Sequence, residues 1–352
     1  MKDDSLSRRD LLKKITAASL AAGAGSSAVS YHSHEERILA EEGQNSAAGA
    51  ADAVSGATRL SFVQQQKEEL KEKVPLTKLG NAVVSRIILG GNLIGGFAHA
   101  RDLIYVSDLI RAYHTEQKCV ETFMIAEEAG INTFLGDWNM HQMMSNYWKW
   151  TDGKMQLITQ CPDSMDEVKK AIDTGAIAIY PTGGVSERRV AEGDYSFYEP
   201  FFKLVRDAGL PAGLGAHRIE TIRALADRGL IPDFWMKTFH PVNYWSARHP
   251  EEHDNIYCRK PKETAEFFAD RPEPWIAFKT LAAGAVAPQD GFRFVLEGGA
   301  DFICVGMYDF QIFKDANIFT DIMNGGINRK RRMLDAVDRA AYEAQLEEEE
   351  DA

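Results

Sequence analysis

Cysteine is scarce. The chain has four in 352 residues, Cys119, Cys161, Cys258 and Cys304, and none stands in a CxxC pair or at a zinc-binding spacing. That excludes a disulfide scaffold and leaves free, mostly buried thiols as the expectation. Long apolar runs are missing too. No segment approaches the ~20 residues that a membrane-spanning helix needs. Basic charge is in short supply, with 40 Lys and Arg against 52 Asp and Glu and a net charge of -12. Nucleic acid is therefore not an expected partner, because phosphate binding needs a basic face. No G-x-G-x-x-G follows the first candidate strand, so the signature of an open dinucleotide-binding sheet is absent.

What is there begins at the N-terminus. Ser7-Arg8-Arg9-Asp10-Leu11-Leu12-Lys13 is followed by the short apolar run ITAASLAAGAG and then by small residues. This is the basic, apolar, small-residue order of an export signal. The Arg8-Arg9 pair with Leu11, Leu12 and Lys13 marks the twin-arginine form, which makes the twin-arginine machinery a partner and an exported location the expectation. We read residues 1–30 as this signal and residues 31–73, rich in Ala, Glu, Gln, Ser and Gly, as a flexible spacer. Residues 331–352 read as a C-terminal helix and acidic tail ending in EAQLEEEEDA.

Between them, residues 74–330 alternate regularly. Short apolar strands are expected at Arg86–Gly90, Ile131–Leu135, Met155–Thr159, Ala176–Tyr180, Ala212–Ala216, Asp233–Lys237, Trp275–Lys279 and Asp301–Val305, each followed by a loop and a helical pattern. Continuous apolar strands separated by amphipathic helices indicate parallel strands covered on both faces. Eight such units predict a closed (β/α)8 TIM barrel, an α/β fold whose chemistry sits where the strands end. Polar groups recur at those ends: Asn92, Asp137, Asn139, Gln160, Thr182, His217, Lys237, His240, Lys279, Asp309 and Gln311. Their convergence on one barrel mouth points to a pocket for a small-molecule substrate.

Several segments, in order, resemble the aldo/keto reductase superfamily. LGNAVVSRIILGGNLIGG looks like its opening hairpin and first strand, and AEEAGINTF like its helix 1 to strand 2 junction. LVRDAGLPAGLGAH resembles its approach to strand 5, and WIAFKTLAAGAV a strand 7 of its divergent branches. The resemblance spans about Leu76 to Met323 and implies the barrel fold and oxidoreductase chemistry. The family's proton-donating Tyr and its tuning Asp, Lys and His do not carry over. Leu135 stands at the Asp position, Met140 at the Tyr and Gln160 at the Lys, while strand 4 ends in Tyr180-Pro181-Thr182 without His. The family grips the extra phosphate of NADP with basic residues after strand 8, where this chain offers only Lys314 beside Asp315.

Substitute chemistry is available. Asp137, His217, Lys237, His240 and Lys279 form a candidate acid/base set, and neighbouring lysines can yield a neutral amine for proton transfer or a Schiff base. Trp138, Tyr244 and Trp245 offer apolar platforms; Asn92, Asn139, Gln160, Asn243, Asp309 and Gln311 offer hydrogen bonds. A small polar, sugar-derived carbonyl compound suits that set. A second reading is a metal-dependent isomerase, lyase or hydrolase, with His141, His217, His240 and Asp137 as ligands to a divalent cation. The H-x-x-E-H pattern at His249–His253 needs a helix, and Pro250 puts it in a loop. A third reading is a binding protein that keeps the pocket without turnover.

Overall fold

A computed structural model describes residues 67–97, 103–244, 247 and 257–350. The twin-arginine segment, the spacer up to residue 66, Trp245 and the His249–His253 motif lie outside the described residues.

A hairpin of β1 (Leu76–Leu79) and β2 (Ala82–Ser85) opens the fold. Then β3 (Ile87–Gly90) precedes α1 (Ile104–Tyr113) and α2 (Glu116–Glu128), β4 (Thr133–Asp137) precedes α3 (His141–Trp150), and β5 (Gln156–Cys161) precedes α4 (Met165–Asp173). Next, β6 (Ala178–Pro181) leads to α5 (Gly183–Glu192) and α6 (Tyr198–Asp207), β7 (Gly213–Ala216) to α7 (Ile219–Asp227), and β8 (Phe234–Thr238) to α8 (Pro261–Phe268). The series ends with β9 (Trp275–Phe278), α9 (Pro288–Glu297), β10 (Phe302–Val305) and α10 (Ile312–Asn324). A last strand, β11 (Ala336–Val337), pairs with β1 before α11 (Arg339–Glu350).

The eight strands β3 to β10 form one parallel sheet in the order β6-β5-β4-β3-β10-β9-β8-β7. A parallel bridge from Ile179 to Ala212 joins the two end strands. The Ile179 N–H donates to the Pro211 carbonyl across that seam at 3.2 Å. This is the expected (β/α)8 barrel, and each predicted strand lies within a few residues of an observed one.

The strands are mostly apolar because both faces are buried, and their polar residues gather largely toward the ends. Ile158, Tyr180, Phe234, Met236, Ile276 and Phe302 fill the barrel. Leu157, Ile179, Leu214, Trp235, Trp275 and Ile303 face the helices. Space inside is tight: a Cβ on Gly213 would come within 2.3 Å of the Phe234 ring. The helices start and stop by local chemistry. Thr115 caps α2 by accepting the Lys118 N–H, and Gly130 ends it at φ 82°. A Cβ there would approach Val74 N to 2.9 Å, so only glycine suits the turn. All four cysteines are free and buried.

The barrel floor is held by Asp301, which is fully buried. Its carboxylate takes an Arg331 Nη1–H, an Arg329 Nη2–H at 3.4 Å and the Trp275 N–H at 2.9 Å. The Arg86 guanidinium donates to the Asp301 carbonyl at 3.2 Å, and burial pulls it down to about 10. Three guanidiniums against one carboxylate leave N–H groups over, and the carbonyls of Glu273, Gly299 and Ala300 accept them from Arg329 and Arg331. Residues 67–73, within the expected spacer, are tied to α10: Lys71 pairs with Asp321 at 2.6 Å, and its N–H donates to Asn317 at 2.9 Å.

Removing the central carboxylate strands buried cations. Asp301→Ala is expected to cost roughly 3–5 kcal/mol in denaturant unfolding, while Asp335→Ala, exposed beside Arg332, stays within about 0.5 kcal/mol. Equal midpoints for the two variants would show that the floor does not depend on this pairing.

Candidate active site

The strands deliver their C-terminal ends to one cavity of about 680 Å³. Of the residues singled out in the sequence, Asn92, Asp137, Gln160, Thr182, His217, Lys279 and Gln311 line it. Leu135 and Met140, at the reductase Asp and Tyr positions of the resemblance, line it as well. Leu135 and Asp137 share a face because β4 stays extended through both.

One wall is a hydrogen-bonded chain. The Tyr180 hydroxyl donates to Gln160 Oε1 at 3.2 Å, and Gln160 Nε2 donates to Asp137 Oδ2 at 2.9 Å. Burial raises the Asp137 carboxyl, and the Gln160 amide only partly opposes that. Its Oδ1 is enclosed without a well-directed hydrogen bond. Burial drives the Tyr180 phenol well above its ordinary range, with Cys304 and Asp137 adding to it, so it stays protonated.

Lys279 occupies the opposite side. Along β9, Ile276 and Phe278 face the barrel, so an extended residue 279 would point towards the helices. Instead Lys279 takes φ 55° and lines the cavity with Phe278 and Thr280. Ala282 and Ala283 are left-handed too, at φ 47° and 57°, so the loop after β9 concentrates strain that non-glycine residues rarely accept. Among the described residues no carboxylate pairs with Lys279. Its Nζ lies 4.1 Å from the centroid of the Tyr257 ring. Burial lowers the amine to about 8, opposed only by Cys304. The Thr280 hydroxyl is buried next to it without a partner.

His217 follows β7 and faces Glu187 of α5, with Nδ1 3.4 Å from Oε1. The same carboxylate oxygen accepts the N–H groups of His217 and Arg218 at 2.8 and 2.9 Å. Burial pushes Glu187 up, but His217 and these N–H groups outweigh it and hold the carboxyl below its usual value. The pair is a carboxylate-oriented imidazole at the cavity edge.

Other expected residues go elsewhere. Lys237 points away from the cavity, because Met236 takes the inward face of β8. Its Nζ donates to Thr238 O and Oγ1 at 2.7 and 2.9 Å and lies 4.0 Å from Cys258 Sγ. His240 is fully buried and spent structurally. Its Nδ1–H donates to the Pro241 carbonyl at 2.7 Å, and Nε2 accepts the N–H groups of Tyr257 and Cys258 at 3.1 and 2.9 Å. The ring is therefore a neutral tautomer with both nitrogens engaged, which corrects its expected catalytic and ligating roles. His141 bonds Thr159 Oγ1 at 3.0 Å. Among the described residues no group of three His, Cys, Asp or Glu side chains is arranged to hold a metal. The His141, His217, His240 and Asp137 set thus does not form a ligand cluster. Trp138, Asn139 and Asn243 are exposed and Tyr244 buried, all outside the lining. Asp309 is buried behind it, taking the Tyr113 hydroxyl at 2.6 Å and facing Lys118 at 3.5 Å.

Sequence reasoning missed Tyr180, Tyr257, Thr280, Cys304 and Asp315, all in the lining. Alternation from Gln160-type strand ends signals Tyr180 and Cys304; nothing local signals the others. The NADP implied by the resemblance does not fit beyond β10, where the buried ionisable groups are the Asp309 and Asp315 carboxyls and Lys314 is exposed.

Two solved structures, each a provisionally assigned aldo-keto reductase from Pseudomonas aeruginosa, are similar to this chain. One matches at 14% identity and a TM-score of 0.51 over 72% of this chain and 99% of its own. The other matches at 14% and 0.50 over 72% and 98%. The likeness is one of fold. No protein-family model and no curated protein matches the sequence.

The Lys279 geometry fixes a pH signature. A folded value of about 8, below the ordinary 10.5, means that the folded protein binds fewer protons than the unfolded chain between those values. The burial penalty is full below pH 8 and relieved as pH rises toward 10.5. Lys279→Met is therefore expected to raise unfolding free energy more at pH 7 than at pH 10. A gain that does not shrink with pH would contradict the burial of an unpaired amine.

Proposed function

We propose that this chain is a barrel enzyme for a small polar, sugar-derived carbonyl compound, with Lys279 as the amine that engages the carbonyl. One observation carries this reading: an amine in an apolar barrel mouth, without a carboxylate partner among the described residues and on a strained backbone. Burying a charge without compensation is costly and is retained where the neutral form is used. The fold relationship to aldo-keto-reductase-like barrels is consistent with catalysis on a carbonyl but assigns no residue.

In this reading the Lys279 Nζ lone pair attacks the carbonyl carbon and the oxygen takes a proton. Loss of water then leaves a protonated imine. His217, oriented by Glu187, and Asp137, fixed by Gln160, are the acid/base groups that move those protons. Tyr180, held protonated, orients Gln160 and closes that wall to water. Export through the twin-arginine route belongs to the same proposal and rests on Ser7–Lys13; Arg8→Lys with Arg9→Lys is expected to retain the chain in the cytoplasm on cell fractionation.

Borohydride trapping tests the chemistry. With glyceraldehyde or dihydroxyacetone and cyanoborohydride, one reduced adduct per chain is expected, mapped to Lys279 by peptide mass analysis and absent in Lys279→Met. On any substrate turned over, that variant loses at least about 10²-fold in rate, and His217→Asn about as much. Adducts spread over surface lysines, with Lys279 unmodified, would sink the proposal.

A further inference from the structure

Among the described residues, the carboxylates of Asp301, Asp309 and Glu127 are each partnered within the fold. Asp301 takes two guanidinium N–H groups and a backbone N–H. Asp309 takes the Tyr113 hydroxyl and faces Lys118. Glu127 takes the Tyr147 hydroxyl at 2.7 Å and the Lys154 N–H at 2.6 Å. Asp315 is 3% exposed and lines the cavity, and among the described residues its carboxyl has no hydrogen bond or ion pair. It sits in the first turn of α10, just after the turn that carries Tyr308 and Gln311, both also in the lining.

Among the described residues only Lys314 acts on its charge, and the cations of α1 and α2 pair with other carboxylates. Lys118 of α2 bonds Glu121 and faces Asp309. Arg111 of α1 pairs with Asp108 at 3.6 Å. Lys314, its neighbour in α10, is exposed and only weakly opposes the burial that pushes the Asp315 carboxyl up to about 7. A carboxyl so placed lacks both donors and a countercharge. A hydroxyl would supply the first alone; an ammonium supplies both.

We propose that Asp315 recognises a protonated amine, so that the molecule entering this cavity is a small amino-polyol or amino sugar. The inference rests on the cavity being a substrate site, but not on the chemistry assigned to Lys279. It also accounts for a carboxyl where the reductase resemblance would lead one to look for basic groups.

Calorimetric titration with matched pairs tests it: glucosamine against glucose, and 2-aminoethanol against 1,2-ethanediol. The wild-type protein is expected to bind each amine about 10-fold or more tightly than its hydroxyl partner. That preference is lost in Asp315→Asn and kept in Lys279→Met. In buffers of different ionisation enthalpy, amine binding to the wild-type protein releases a fraction of a proton that grows as pH falls below 7. This readout needs no variant and holds even if Asp315→Asn fails to fold. Amines that bind no better than their hydroxyl partners, including no binding of either, overturn the proposal, as does a preference that survives in Asp315→Asn. An intact preference without imine trapping would overturn the lysine chemistry alone.

Discussion

A closed ladder of parallel strands gives each strand side chain two destinations, the barrel interior or the helix layer, and a change of one residue switches between them. Lys237 and Lys279 take the two destinations in turn. Both lie near the ends of adjacent strands, and burial lowers both amines to about 8. Lys237 obeys the alternation, turns outward and spends its N–H groups on Thr238. Lys279 leaves the extended conformation and turns into the mouth. Similar burial thus yields a packed structural lysine in one case and an available amine in the other, and the backbone dihedral decides which.

Polar groups are distributed accordingly between the two ends of the barrel. At the floor, the Asp301 carboxylate and the carbonyls of Glu273, Gly299 and Ala300 engage Arg329 and Arg331, and the C-terminal segment is locked to the strands. The mouth holds polar groups without a full set of partners: Asp137 Oδ1, the Thr280 hydroxyl, the Lys279 amine and the Asp315 carboxyl. Unmet hydrogen bonds of buried groups are costly and are recovered when a ligand supplies the missing partners. The barrel architecture permits stability and binding to be separated along one axis in this way.

The fold was legible because its determinants are local and periodic. Apolar strands, amphipathic helices and glycine stops such as Gly130 each announce themselves within a few residues. The site was legible only where strand alternation decides it. Asp137 and Gln160 follow from β4 and β5 running extended into the mouth. His240 defeats that logic because its Nδ1 is taken by the Pro241 carbonyl and its Nε2 by the amides of Tyr257 and Cys258, partners 17 and 18 residues away. Lys279 entered the site against alternation, through a left-handed dihedral that its own side chain does not favour. Asp315 escaped notice because it lies inside a helix, past the strand end where polar residues were sought.

The wall formed by Tyr180, Gln160 and Asp137 can be set beside the reductase pattern that the sequence resembles. A hydroxyl linked through a bridging side chain to a carboxylate has the connectivity of a proton-donor relay. The bridge, however, is an amide. A lysine in that place would carry a positive charge and favour the phenolate, bringing the phenol toward neutrality. Gln160 carries none, and burial with Asp137 nearby moves Tyr180 in the opposite direction. The chain of hydrogen bonds can hold Asp137 in place, but it cannot make Tyr180 a ready acid. The wall therefore differs in charge from the reductase arrangement, and Lys279 and the Glu187-oriented His217 lie elsewhere along the cavity, outside that chain of hydrogen bonds.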